Sequence, residues 1–91
     1  MEPAVRVEFD DDARVRALCG GHNENLKLIE RRLGVTLGHR GAHLHVAGEA
    51  SAVAFAQRLL RELYDLLGAG YHLYADDVEQ AIKVLSAGEP G

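Results

Sequence analysis

A long amphipathic run from about Ser51 to Leu67 dominates the pattern of this chain. Val53, Ala56, Leu60, Leu63 and Leu67 recur at helical spacing, while Gln57, Arg58, Arg61, Glu62 and Asp65 fall mostly elsewhere. Gly68 and Gly70 stop it. A helix of that extent is about 25 Å long, and its apolar stripe has to be covered. The chain has 91 residues, enough for one hydrophobic core and no second one. The surface that covers the stripe must therefore come from the short segments on either side of it.

Those segments alternate at period two or recur at helical spacing. Val5-Arg6-Val7-Glu8-Phe9 puts Val5, Val7 and Phe9 on one face of a strand. Asp10, Asp11 and Asp12 are candidate caps for a short helix through about Cys19, with Val15 and Leu18 inward. Gly20-Gly21 breaks it. A second helix opens near Asn23, a good cap residue, shows Leu26, Ile29 and Leu33 on one face, and ends at Gly34. Val35-Thr36-Leu37 and Ala42-His43-Leu44-His45-Val46 read as a β-hairpin joined by a tight Gly38-His39-Arg40-Gly41 connection. After the long helix, Asp76 and Glu79 have capping-box spacing ahead of Val78, Ala81, Ile82 and Leu85. The expected architecture is α+β, a two-layer sandwich of a three-stranded antiparallel sheet with helices packed on one face.

Composition excludes several functions. No run approaches a membrane span and the N-terminus is acidic, so neither a transmembrane nor a secretory segment is expected. The single cysteine, Cys19, allows no internal disulfide and no cysteine-type zinc site, and points to a reducing, cytoplasmic setting. Aromatics make up only 5% of the chain, too few for a binder built mainly on stacked rings. The net charge is −4, yet it is unevenly spread. Residues 13–48 hold Arg14, Arg16, Lys27, Arg31, Arg32 and Arg40 against Glu24 and Glu30, a local +4, and the remainder carries −8. That is the footprint of a local polyanion-binding face or of a solvated, ion-paired helix surface.

Three clusters invite chemical readings. His39, His43 and His45 could share a metal, with His43 and His45 on one face of a strand and His39 reaching from the turn, but no acid or cysteine completes the ligand set. The plainer reading is a polar strand face. Cys19, near Arg16 and His22, is a reactive thiol or a small core residue. Asp10, Asp11 and Asp12 lack the glycine turn of a divalent-cation loop and suit helix capping better. No catalytic constellation stands out, and no catalytic, cofactor or metal residue is assigned.

The order strand, helix, glycine loop, helix, strand, strand, helix resembles a type I KH domain, here with an extra C-terminal helix. The resemblance places the family's G-x-x-G loop on Gly20, Gly21, His22 and Asn23, with Asn23 where the last glycine would be and acidic Glu24 after it. Such a loop lets a nucleic-acid backbone approach amide groups at a helix N-terminus. A degenerate loop implies weak binding of RNA or single-stranded DNA, with Lys27, Arg31, Arg32 and Arg40 as the phosphate contacts.

A closer resemblance covers nearly the whole chain. Leu18-Cys19-Gly20, the run from Asn25 to Val35, Gly48-Glu49-Ala50, Leu60-Arg61-Glu62-Leu63-Tyr64 and Asp77-Val78-Glu79-Gln80-Ala81-Ile82 look like the N-terminal KH-like domain of PhoH-like proteins. The resemblance implies that residues 1–87 form that domain and 88–91 a tail or the start of a linker. In the family a P-loop ATPase domain follows, associated with RNA metabolism. No G-x-x-x-x-G-K-[ST] occurs in this sequence, so ATP and Mg²⁺ are expected only in that further domain. The implied partners are RNA or single-stranded nucleic acid, the protein's own ATPase domain and, in the full-length protein, a second copy. The rival expectation is a protein-interaction or assembly module that docks on its own ATPase domain.

Overall fold

The computed structural model describes residues 3–88. Residues 89–91 of the expected tail lie outside them. The elements are β1 (Ala4–Glu8), α1 (Asp12–Cys19), a 3₁₀ turn (Gly21–Asn23), α2 (Glu24–Leu33), β2 (Thr36–Arg40), β3 (His43–Ala47), α3 (Ala50–Gly68) and α4 (Ala75–Ala87). The strands form one antiparallel sheet in the order β1-β3-β2. Val5 lies opposite Val46 and Val7 opposite Leu44 on one side of the central strand, with Leu37 opposite Val46 on the other. These residues share a face. Val7, Leu44 and Val46 on it are fully buried, whereas Arg6, Glu8 and His45 between them are exposed. The helices therefore cover one face of the sheet and leave the other open. This is the expected two-layer α+β sandwich.

The long helix is the spine. It packs on β1 and β3 and against α1, α2 and α4. Val53, Ala56, Leu60 and Leu63 of the expected stripe are buried, and Leu67 is half-buried. Leu59 and Tyr64 are buried as well. The helix is enclosed over a wider arc than the stripe because α1 and α4 flank it in addition to the sheet. Val15 and Leu18 of α1, Leu26 and Ile29 of α2 and Val78 of α4 complete the core.

Two local expectations change. The hairpin connection is not Gly38–Gly41: β2 continues through Arg40, and the loop is the pair Gly41-Ala42, since Arg40 lies opposite His43. Gly41 has φ +53°, the positive φ that a two-residue hairpin turn requires at its first central position. Gly38 hides the strand because it breaks the alternation without leaving it. The last helix begins two residues earlier than Asp76 and Glu79 suggest, with Tyr74 at its N-cap. The Tyr74 N–H donates to Asp77 Oδ2 at 2.9 Å, and Glu79 is engaged elsewhere.

Candidate nucleic-acid interface

Gly20 ends α1 with φ +81°, and a Cβ there would come within 3.0 Å of Asn25 Nδ2 and 3.1 Å of Glu24 Cγ. Both the backbone angle and the space demand glycine. Asn25 is the reason for the crowding. Its side chain is 1% exposed, and its Nδ2 donates to the Leu18 carbonyl at 3.1 Å. That carbonyl is among the last of α1, which have no partner within their own helix. Asn25 thus closes the end of α1 from the first turn of α2 and sets the path of the loop between them. Its Oδ1 has no partner.

Past Gly21, which is open to solvent, His22 and Asn23 both adopt left-handed backbone, at φ +54° and +58°. Asn and His enter this region more readily than other residues. Asn23 is the N-cap of α2 by position, as expected, but its side chain makes no capping bond. An effective cap needs extended backbone, and the left-handed angle turns the side chain away. The fourth position of the loop therefore has the conformation that glycine adopts without steric cost, with asparagine standing in it.

The expected basic set divides. Lys27 and Arg31 are exposed on α2, one helical turn apart, and Glu24 lies on the same stripe one turn before Lys27. Arg32 does not join them. Its Nε lies 2.7 Å from Glu79 Oε1 and its Nη2 donates to Glu79 Oε2 at 2.7 Å, a two-pronged pair that ties α2 to α4. The hydrogen bond and charge of Arg32 hold the Glu79 carboxyl below the usual carboxylate range. Arg40 does not converge on the loop either. Opposite His43 in the register, it lies on the open face of the sheet, with the sheet between it and α2. Glu30, at the end of α2, accepts the Leu37 N–H at 2.8 Å, so an acid occupies part of the edge of β2 that faces this helix.

The other clusters resolve too. His39 sits on the helix-covered side, opposite Leu44, and its Nε2 is 2.8 Å from the Gly41 carbonyl. His43 and His45 are on the open side, with ring centroids 4.9 Å apart. The three cannot share an ion. Among the described residues no group of three or more His, Cys, Asp or Glu side chains is placed to hold a metal. Cys19 is 1% exposed, and burial pushes its thiol up to about 11, the state of a core residue. Asp11 accepts the Arg14 N–H at 3.1 Å and caps α1. Asp10 accepts the Tyr64 hydroxyl at 2.5 Å, a bond that lowers the Asp10 carboxyl.

Two features of the structure leave little signal in the sequence. Asn25 is a polar residue whose neighbours three and four positions on, Leu28 and Ile29, are core residues, and that placement was its only signal. The second is an apolar groove of about 420 Å³ between α3 and α4, lined by Leu66, Tyr71, Ala81, Val84 and Leu85. Tyr71 and Val84 there are 63% and 62% exposed. No helix among the described residues is long and apolar enough to cross a membrane.

The fold defines an α+β domain, a three-stranded antiparallel sheet covered on one face by four helices. No family model matches the chain, and no solved structure matches it. Curated relatives do. A PhoH-like protein of Mycobacterium tuberculosis is 34% identical over 71 residues, covering 78% of this chain and 20% of the relative. That of Mycobacterium leprae matches to the same extent. The PhoH-like protein of Bacillus subtilis is 33% identical over 86 residues, 94% of this chain and 27% of its own length. The chain is related to PhoH-like proteins, and it spans about a fifth to a quarter of the relatives it matches.

Proposed function

We propose that this chain is a KH-like accessory domain of a cytoplasmic PhoH-like ATPase. It would contact RNA or single-stranded DNA weakly through the Gly20–Asn23 loop and through Lys27 and Arg31 of α2. ATP and Mg²⁺ would be handled by a P-loop domain elsewhere in the parent protein, which would assemble as a homo-oligomer. The supporting observation is the loop itself: a left-handed turn set by Gly20 against Asn25, leading into a helix that presents Lys27 and Arg31 to solvent. Arg32 and Arg40, engaged or turned away, are left out of this contact.

Fluorescence anisotropy with a labelled single-stranded RNA tests the proposal. The dissociation constant should lie in the non-specific range of about 10⁻⁴–10⁻⁶ M. With two phosphate contacts, log K should fall with log salt at a slope of about −1.4. Lys27→Gln with Arg31→Gln should abolish that slope. Unchanged binding by the double variant overturns the reading.

The α3–α4 groove favours a second reading, a module that docks on the parent's own ATPase domain. Exposed Tyr71 and Val84 beside Leu66 form an apolar strip of the kind that marks interaction surfaces. Val84→Glu would then weaken association with the separately produced remainder of the parent and leave RNA affinity untouched.

A further inference from the structure

The face of the sheet that carries no helix is built around two histidines. In register across the strands, one row is Glu8, His43 and Arg40, and the next is Arg6, His45 and Gly38. Directly opposed Cβ atoms in such rows are about 4.5–5.5 Å apart, within reach of arginine side chains. Beside His45 there is a slot: a Cβ on Gly38 would meet nothing closer than the His45 Cβ, at 3.9 Å. The row beyond, Ala4, Ala47 and Thr36, has only short side chains. The result is an open face that brings Arg6, Arg40, His43 and His45 together with one acid, Glu8.

His43 lies at its centre. Its Nε2 is buried and has no hydrogen-bond partner, an arrangement that buried polar atoms rarely keep without a ligand or water. The groups facing it are Arg6 and Glu8 from β1, Arg40 from β2 and His45 from its own strand. With both imidazoles neutral the cluster carries +1, and with both protonated +3. Burial, together with the charges of Arg6, His45 and Arg40, holds the His43 imidazole below its usual range, and Glu8 only partly opposes them. A bound oxyanion reverses that balance, so it and a proton favour each other.

We propose that the open sheet face is a proton-coupled oxyanion site, taking a phosphate-type group against Arg6, Arg40, His43 and His45. The anion sits in the slot at Gly38, and a proton from solvent enters a ring nitrogen of His43. The site lies on the opposite side of the sheet from the α2 contact proposed above and does not depend on it.

Sulfate is a suitable probe because its charge is constant across the range in which histidine titrates. In the NMR spectrum of the 91-residue chain, sulfate at constant ionic strength should shift the His43 and His45 ring signals. It should bind about tenfold more tightly at pH 5.5 than at pH 7.5. His43→Gln should remove the pH dependence, and Arg6→Gln should weaken binding at both pH values. His45→Gln, at an exposed position, is the companion variant, with thermal melting to check each fold. Equal affinity at the two pH values, or an unchanged pH dependence in His43→Gln, overturns the proposal. A short oligouridylate identifies the source of the anion. Displacement of sulfate from these rings assigns the site to a nucleic-acid backbone, and retention of sulfate assigns it to a free oxyanion.

Discussion

Replacing Asn25 by aspartate exchanges one buried atom and turns the loop anchor into a proton-dependent one. The parent side chain donates from Nδ2 to the Leu18 carbonyl at 3.1 Å and is 1% exposed. In Asn25→Asp a protonated carboxyl can make the same donation, so at about pH 4 the variant should be nearly as stable as the parent. An unfolded aspartate titrates near 3.9. In the folded state, burial and the facing carbonyl both oppose ionisation and raise that value. The folded protein then holds the proton more tightly than the unfolded one, so stability falls as pH rises above about 4, by about 1.4 kcal/mol per pH unit. A shift of two to three units amounts to a loss of about 3–4 kcal/mol at pH 7, a large share of the stability of a small domain. The parent behaves oppositely. Hydrogen bonds from Tyr64 and Arg32 lower the Asp10 and Glu79 carboxyls, so the parent loses stability as pH falls, and that loss is common to both proteins. Asn25→Ala is the pH-independent control. It should cost about 1–2 kcal/mol, the price of an unpartnered carbonyl less the relief of removing the orphaned Oδ1. Urea denaturation from about pH 4 to 7.5 measures the difference. A flat difference across that range, or an aspartate variant more stable than the alanine variant at pH 7, would refute the assignment of Asn25 as a buried anchor of the loop.

The Arg32–Glu79 pair, with side chains 54% and 30% exposed, should give a small favourable coupling in a double-mutant cycle with alanine; zero coupling would remove its role as a strut. Because Arg32 is engaged, Arg32→Gln should weaken RNA binding less than Arg31→Gln, and the reverse order by anisotropy would count against the interface. Asn23→Gly with Glu24→Lys should raise single-stranded RNA affinity about tenfold, or about 1.4 kcal/mol, with melting temperature nearly unchanged, since glycine suits φ +58°. If Glu24→Lys alone matches the double variant, loop geometry is irrelevant to binding. Titration calorimetry with Mg-ATP should show no saturable site, because the sequence has no P-loop; micromolar binding at one site would overturn the division of labour between this chain and a separate ATPase domain.

The elements of this protein are legible in its sequence because their signals are local. The stripe Val53–Ala56–Leu60–Leu63 announces α3, Gly20 and Gly34 end the helices before them, and the alternation of Val5 and Val7 announces β1. The loop Gly20–Asn23 is equally local, so its position could be assigned in advance. What the residues of that loop do depended on a partner several positions on, the buried side chain of Asn25.

Only the tertiary structure decided where the charges went. Arg31 and Arg32 are adjacent, yet one faces solvent and the other meets Glu79, 47 residues along the chain. Arg40 belongs by sequence to the same basic stretch, but the alternation of β2 and its pairing with β3 carry it to the far side of the sheet. The same rule separates His39 from His43 and His45. Periodicity tells which residues share a face of their own element. Which element covers that face, and which strand lies beside it in what register, is set by contacts between residues far apart in the chain, and no local pattern encodes those.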